Sequence, residues 1–196
     1  MEGLFIMANP SEESKIKIEE VAAIDRAELI NGELIIKSYT TTNHNNAVHK
    51  ISKAFEDFIE NNNGDCIVFS DVVPLHCEKL CDNNNNNYFL PDIMVVCDKN
   101  GIKQDGVYVV PQFVAEIVSD STRKFDYNNK LNTYRDIGVQ EYWIVDLQKQ
   151  AIIKNIMDDG VYFPEVIHYP SIKKLSVDTY QGLIIDLIPI FDFLKN

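Results

Sequence analysis

The spacing of apolar and polar residues predicts short strands arranged around two main helices. Residues 27–30 and 33–38 read as the two arms of a β-hairpin, because Asn31-Gly32 between them supplies the positive-φ residues of a type I′ turn. Apolar and β-branched runs predict further strands at residues 66–75, 88–97, 113–119 and 140–146, and smaller strands at 151–156, 161–167 and 183–187.

Helical spacing follows the hairpin and recurs before Gly138. Thr41, Thr42 and Asn43 are candidate caps for a helix that runs to about residue 61. A second helix is predicted over residues 126–137, ended by Gly138, and a short one over residues 16–23. Strands before and after each main helix indicate a mixed α/β domain, with a β-sheet flanked by helices.

Size and composition favour one domain. The chain has 196 residues, of which 45% are apolar, enough for one real core. We expect an N-terminal extension over residues 1–25 and a domain over residues 26–196. The apolar runs fall short of the ~20 residues that cross a bilayer, and the first residues lack a secretory pattern, so we expect a cytoplasmic protein with no membrane association. Four irregularly spaced cysteines predict reduced thiols.

The charge distribution bears on nucleic-acid binding in two ways. A net charge of −12 argues against a general nucleic-acid coat protein, since nonspecific affinity comes mostly from phosphate neutralisation. Between residues 121 and 137, however, four basic residues stand against two acidic ones, a local net charge of +2. The basic segment directly follows the strand that contains Glu116.

Two carboxylates, Asp92 and Glu116, lie in segments that otherwise read as buried strands. An unpaired ionised carboxylate among apolar groups costs several kcal/mol, so a cation must compensate for it. If the two strands pair, Asp92 and Glu116 converge at the sheet edge, where Mg²⁺ or Mn²⁺ would find the oxygen ligands that it prefers.

Lys130, on the second helix, admits two interpretations. At the border of the apolar face, its amine can reach the carboxylates and position or deprotonate an attacking water. Alternatively, Lys130 forms an ordinary surface ion pair with Asp126, four residues earlier, worth only ~0.3 to 0.5 kcal/mol. For Lys130 alone the ion pair is the simpler interpretation. For Asp92, Glu116 and Lys130 taken together, we favour the interpretation as a catalytic site.

An ordered series of these residues resembles the Uma-two putative restriction endonuclease family of the PD-(D/E)xK nuclease superfamily. The resemblance runs from about Arg26 to the C-terminal strand. It is carried by the segments 27–33, 91–92, 116–119, 121–122 and 138–146, and by His44, Asp126, Lys130 and Tyr134.

The resemblance implies a restriction-endonuclease-like core, dependence on a divalent metal and phosphodiester hydrolysis, with Asp92 and Glu116 as the metal-binding carboxylates. Two positions depart from the pattern. Val118 stands where the superfamily has lysine, so the lysine function has moved, with Lys130 as the candidate, or been lost. Asp120 stands where the family usually has proline, which bears on the geometry of this loop.

Several further residues have both functional and structural interpretations. Glu28 is either a third metal ligand or a solvent-facing hairpin carboxylate, and His44 either contacts phosphate or belongs to the helix cap. Arg123 and Lys124 are candidate phosphate or DNA contacts. We reject a zinc site at His76, Cys77 and Cys81, because a second ligand pair is missing.

Other side chains favour structural roles. We expect Trp143 and Tyr142 to fill the core, although both could stack on bases. Residues 119–122 favour a turn and helix cap over a nucleophile, and the asparagines at 83–87 a solvated loop tip.

The main hypothesis is a metal-dependent DNA endonuclease that uses Mg²⁺ or Mn²⁺ and acts as a homodimer by analogy. The alternative is a catalytically inactive nuclease-fold protein that binds DNA or protein, since Val118 breaks the usual motif.

Overall fold

The computed structural model describes residues 17–70, 72–81, 86–120 and 122–194. The helices are α1 (Ile18–Ala22), α2 (Thr42–Asn61), α3 (Leu131–Ile137) and α4 (Ile188–Phe191). The strands are β1 (Ala27–Ile30), β2 (Glu33–Ile36), β3 (Ile67–Ser70), β4 (Ile93–Val96), β5 (Ile102–Lys103), β6 (Gly106–Val107), β7 (Phe113–Ile117), β8 (Glu141–Asp146), β9 (Ala151–Asp158), β10 (Val161–His168), β11 (Lys174–Ser176) and β12 (Ile184–Asp186).

Six of the described strands form one mixed sheet in the order β10-β9-β8-β7-β4-β3. Only the central neighbours β7 and β8 run parallel in this sheet, and the helical segment between them makes the crossover. The other neighbours are antiparallel. The predicted fold class, a mixed sheet flanked by helices, is confirmed.

The two faces of the sheet carry different layers. On one face, α2 packs its apolar side against the central strands, and Phe55 lies 4.4 Å from Phe113 between ring centroids. On the other face, α3 contributes Tyr134, which lies 4.8 Å from Tyr142 of β8 between ring centroids. The hairpin of β1 and β2 covers part of the second face.

The hairpin forms as predicted. Asn31 and Gly32 both have positive φ, at 52° and 81°, which is the type I′ geometry that Asn-Gly favours. Leu29 pairs with Tyr88 through two backbone hydrogen bonds of 2.8 and 2.9 Å, so the hairpin is attached to the segment that leads into β4.

Two strands are shorter than their apolar patterns predict. Among the described residues, the segment 66–75 is regular only over β3, and 88–97 only over β4. Tyr88 and Phe89 instead form isolated bridges to Leu29 and Leu75, and Pro91, which has no backbone N–H, separates these bridges from β4. The bend places Asp92 just before the first regular residue of β4.

The second helix begins differently from the prediction. Residues Phe125–Lys130 form a π-helical turn, and the α-helical part starts at Leu131. In such a widened turn a carbonyl is free for another donor, and the Tyr142 hydroxyl donates to the backbone oxygen of Asp126 at 3.0 Å. Gly138 ends the helix with φ 92°, as expected.

Asn87 differs from the predicted solvated tip of the asparagine run. Its side chain is fully buried, accepts a hydrogen bond from the Asn31 amide at 2.6 Å and donates to the Thr133 hydroxyl at 2.9 Å. An amide with its donor and acceptor both satisfied can be buried, so Asn87 joins the hairpin turn to α3.

The expectation of four reduced cysteines is wrong for Cys66 and Cys97, which form a disulfide. The pairing of Ile67 with Val96 puts the two cysteines directly opposite each other at the end of the β3–β4 ladder, with Cα atoms 4.0 Å apart. Cys77 and Cys81 are free. Among the described residues, no helix combines the length and the apolar character needed to cross a bilayer.

Candidate active site

Asp92 and Glu116 meet across the β4–β7 ladder. Ile93 pairs with Ala115, so one step further Asp92 lies opposite Glu116 and on the same face of the sheet. The Ile117 amide donates to Asp92 Oδ2 at 2.8 Å, which fixes the Asp92 carboxylate beside Glu116. Both side chains are buried, with 4% and 1% exposure. The structure therefore brings together the two carboxylates that the sequence singled out.

Two basic side chains hold Asp92. Lys37 Nζ lies 2.9 Å from Oδ1, and His44 Nε2 lies 3.1 Å from Oδ2. Burial alone would raise the pKa of Asp92, but Lys37 and the hydrogen bond from His44 outweigh it and hold the pKa well below its usual range. Asp92 is therefore ionised at neutral pH.

Glu116 has the opposite electrostatic balance. Its Oε1 accepts from Lys130 Nζ at 3.0 Å and from the Tyr134 hydroxyl at 2.8 Å. Burial raises the pKa of Glu116 to about 8, because the attraction of Lys130 is insufficient and the negative charge of Asp92 adds to the rise. Two neighbouring carboxyls thus differ in protonation state at neutral pH.

Lys130 lies at the centre of a buried cluster of three acids. Its Nζ is 3.0 Å from Glu28 Oε1, 3.0 Å from Glu116 Oε1 and 3.6 Å from Asp126 Oδ1. The predicted pair with Asp126 exists, but it is a buried contact, since both side chains are about 1% exposed. Burial also raises the pKa of Asp126, to about 6, although Lys130 opposes the rise.

A pocket of about 620 Å³ opens beside the two central carboxylates. Lys37, His44, Asp92 and Glu116 line it, together with residues 38–43, residues 117–120, Thr122, Leu147 and Gln148. Lys130, Glu28 and Asp126 do not belong to the lining. The catalytic candidates therefore divide into a pocket side and a buried side.

The N-terminus of α2 delivers His44 to the site. Thr41 caps the helix by accepting from the His44 amide at 3.2 Å, while the His44 side chain reaches Asp92. His44 thus combines its predicted place at the helix start with a contact to the carboxylate.

The predicted basic contacts after Glu116 have different environments. Arg123 forms an ion pair with Asp146 and also donates to Gln148 Oε1 at 3.2 Å. Lys124 is exposed. Ser119 and Thr122 bond each other through their hydroxyls at 2.9 Å, and the Thr122 amide donates to the Ser119 hydroxyl at 3.2 Å, as expected for a turn; Ser121 lies outside the described residues.

Lys37 is a site residue that the sequence did not indicate, and for Tyr134 the contact with Glu116 was not foreseen. Lys37 directly follows the half-exposed strand β2, one step beyond the Ala27–Ile36 pair. Its sequence position indicates only that it stands near the end of the hairpin. Tyr134 is among the residues that carry the family resemblance; its ring packs in the apolar layer beside the sheet, and its hydroxyl donates to Glu116.

The described residues contain no group of three or more His, Cys, Asp or Glu side chains arranged to hold a metal ion. At the rejected zinc position, His76 stacks on Tyr108 at 4.0 Å between ring centroids and contacts Glu78 at 3.0 Å.

Comparison with known proteins decides the family. The model of the Uma2 family, described as putative restriction endonuclease, matches residues 15–186. The chain belongs to the Uma2 family. Two Synechocystis proteins (strain ATCC 27184 / PCC 6803 / Kazusa), both named as uncharacterized, are similar in sequence. Protein sll1609 is 30% identical over 65% of this chain and 70% of its own length. Protein slr1290 is 23% identical over 78% of this chain and 77% of its own length.

The Uma2 assignment agrees with a likeness in fold. A crystal structure of a putative nuclease belonging to DUF820 from Anabaena variabilis ATCC 29413 superposes with a TM-score of 0.70. The match covers 91% of this chain and 99% of the other, at 17% identity. The fold of this Uma2 chain is therefore that of a protein described as a nuclease.

Proposed function

We propose that this chain is a metal-dependent endonuclease that hydrolyses DNA phosphodiester bonds, with Asp92 and Glu116 as the carboxylates that bind Mg²⁺ or Mn²⁺. One observation carries the proposal: the two carboxylates lie opposite each other across two strands and both line the pocket. The family and the structural neighbour, both described as nucleases, support the same chemistry.

The donor set fits a hard divalent cation. Mg²⁺ commonly binds through one or two carboxylates and completes its shell with water and substrate phosphate oxygens. Glu116 Oε1 is held by Lys130 and Tyr134, whereas no donor from the described residues contacts Oε2. Burial raises the pKa of Glu116 to about 8 even though Lys130 is in contact with it, and a divalent cation bound there would favour the charged form. When bound, such an ion stabilises negative charge on a phosphoryl oxygen.

The remaining residues of the site position these two carboxylates. Lys37, His44 and the Ile117 amide orient Asp92, and Lys130 with Tyr134 orients Glu116. Glu28 contacts Lys130 and accepts from the Leu90 amide at 2.8 Å, so its contacts support a positioning role better than a third metal ligand. Lys130 is fully buried, which favours the same role for it over contact with an attacking water.

Plasmid nicking with Mg²⁺ or Mn²⁺ tests the proposal. Asp92→Ala and Glu116→Ala are expected to lose nicking, while Asp57→Asn, an exposed carboxylate on α2, retains it. Equal nicking by the wild type and the Asp92 and Glu116 variants would identify a contaminating nuclease and overturn the proposal. Calorimetric titration with Mn²⁺ gives an independent readout, because metal uptake at pH 7 should release the proton of Glu116.

A catalytically inactive module that binds DNA or protein is the second candidate. It is favoured by Val118 in place of the motif lysine and by the two basic side chains that already contact Asp92. DNA binding without metal-dependent nicking would support it. The homodimer expected by analogy stays a prediction, which sedimentation analysis checks.

A further inference from the structure

We propose that Lys37 is the amine that contacts the substrate phosphate, and that Lys130 acts only by positioning Glu116. This inference rests on the proposed function, and it assigns the lysine role that Val118 leaves open. Lys37 would stabilise negative charge on a phosphate oxygen in the pocket.

The surroundings of Lys130 turn it away from any substrate. Its side chain is fully buried outside the pocket lining, and Glu28, Glu116 and Asp126 surround its amine. The Phe89 ring, with its centroid 5.6 Å from Nζ, lies against the same amine. An amine enclosed in this way fixes its carboxylates, and a phosphate in the pocket has no path to it.

The hairpin gives Lys37 a defined position. The Lys37 amide donates to Arg26 O at 2.9 Å, which extends the β1–β2 pairing by one step and places Lys37 on the same face as Glu28. From that face both side chains form hydrogen bonds with the backbone of Leu90. Glu28 accepts from the Leu90 amide, and Lys37 Nζ donates to the Leu90 carbonyl at 2.9 Å.

Lys37 retains donor capacity toward the pocket. An ammonium group has three N–H donors, and the described residues supply Nζ with two acceptors, Leu90 O and Asp92 Oδ1. The Lys37 side chain is 10% exposed and lines the pocket. Among the described lining residues the basic side chains are Lys37 and His44, and they face the acidic Asp92, Glu116 and Asp120. A phosphate oxygen next to Asp92 would therefore lie within reach of the third Lys37 donor.

Two measurements on Lys37→Met and Lys37→Arg test the assignment. The first is the affinity for a fluorescein-labelled DNA duplex in EDTA over a salt series, by fluorescence anisotropy. The second is single-turnover nicking with Mg²⁺. Lys53→Met, which removes an exposed lysine on α2, is the charge-matched control.

Loss of one phosphate contact reduces the slope of log affinity against log salt by about 1. We expect this reduction for Lys37→Met, together with about a hundredfold or greater loss of rate. Lys37→Arg should keep the slope, and Lys53→Met should keep both slope and rate. Lys130→Met, checked for folding by circular dichroism, should keep the slope while losing rate and Mn²⁺ affinity.

A wild-type slope and rate in Lys37→Met would overturn the inference, as would an equal loss of slope in Lys53→Met. These outcomes differ from failure of the proposed function, in which Glu116→Ala nicks as well as the wild type while the slopes are unaffected. A wild-type chain without measurable affinity for the duplex overturns both.

Discussion

Glu116 and Glu141 are buried carboxylates on the two parallel neighbours β7 and β8, yet their surroundings differ completely. Glu141 accepts from Trp143 Nε1 at 2.7 Å and from the Thr179 amide and hydroxyl at 2.8 Å each. These donors are neutral and occupy both oxygens. Burial raises the pKa of Glu141, but the bonds from Thr179 and Trp143 oppose the rise.

The two residues also lie at opposite ends of the parallel pair. Glu141 opens β8 opposite Phe113, whereas Glu116 lies near the carboxyl end of β7, next to the pocket. Open α/β sheets commonly bind ligands at the carboxyl ends of their strands. Burial alone therefore does not distinguish the two carboxylates, whereas the donors around them and their place in the sheet do.

The largest difference between the Glu116 end and the Glu141 end of the β7–β8 pair is expected in stability, from the variant Lys130→Met. Removing one partner of a buried ion pair leaves uncompensated charge and typically costs about 3–5 kcal/mol. We expect a loss of this size in the free energy of unfolding, measured by urea denaturation. Lys154→Met, near the Glu141 end, should cost less, because its partner Asp178 is 52% exposed. Equal losses in the two variants would contradict the comparison.

The next effect concerns activity. Glu116→Gln should lower single-turnover nicking by more than about a hundredfold, because a metal ligand is worth several kcal/mol of charge stabilisation. Glu141→Gln preserves the same side-chain shape at the other end of the sheet. It should leave the rate per folded molecule within about threefold of the wild type, and a large loss there would remove the functional distinction.

For the free energy of unfolding, the order of the two variants should be reversed: Glu141→Gln should lose more stability than Glu116→Gln. In Glu141→Gln one accepting oxygen becomes an NH₂ group, which cannot accept the hydrogen bonds that Trp143 or Thr179 donate. A buried donor left without an acceptor costs about 1–3 kcal/mol. Glu116→Gln resembles the protonated carboxyl that Glu116 carries at pH 7, so its cost should be smaller. Thermal and urea unfolding of the metal-free variants at pH 7 measure both.

The last prediction is a pH dependence of at most about 1.4 kcal/mol per pH unit for each proton. Glu116 has a folded pKa of about 8 against an ordinary value of 4.5, so the metal-free native state binds more protons between these values. Its stabilising contribution is fully present below pH 4.5 and is lost as the pH rises through 8. Glu116→Gln should flatten the unfolding free energy between pH 6 and 8, where Asp126, with its pKa of about 6, contributes little.

The sequence predicted the parts of the fold that depend on local pattern. Asn31-Gly32 determined the hairpin, and helical spacing from Val48 to Ile59 determined α2. Asp92 and Glu116 were identifiable as site residues because a carboxylate in an apolar strand is conspicuous, although their roles stay predictions.

The rest depended on contacts between distant segments. Lys37 meets Asp92 across 55 residues, and Cys66 meets Cys97 across 31, and neither pairing leaves a periodic signal. Lys130 was placed near the site by helical geometry, but the number of acids around it depends on the hairpin position. The π-helical turn was missed because Phe125–Lys130 reads as ordinary helix in residue type.

That turn sets the rotational phase between the two halves of its helix. Asp126 lies within the turn and Tyr134 follows it, yet both reach the same buried cluster: Asp126 contacts Lys130, and Tyr134 donates to Glu116. If the same residues adopted α-helical geometry instead, Asp126 would be rotated by about 100° relative to Tyr134. The number of residues in one turn therefore decides how many negative charges share the buried amine.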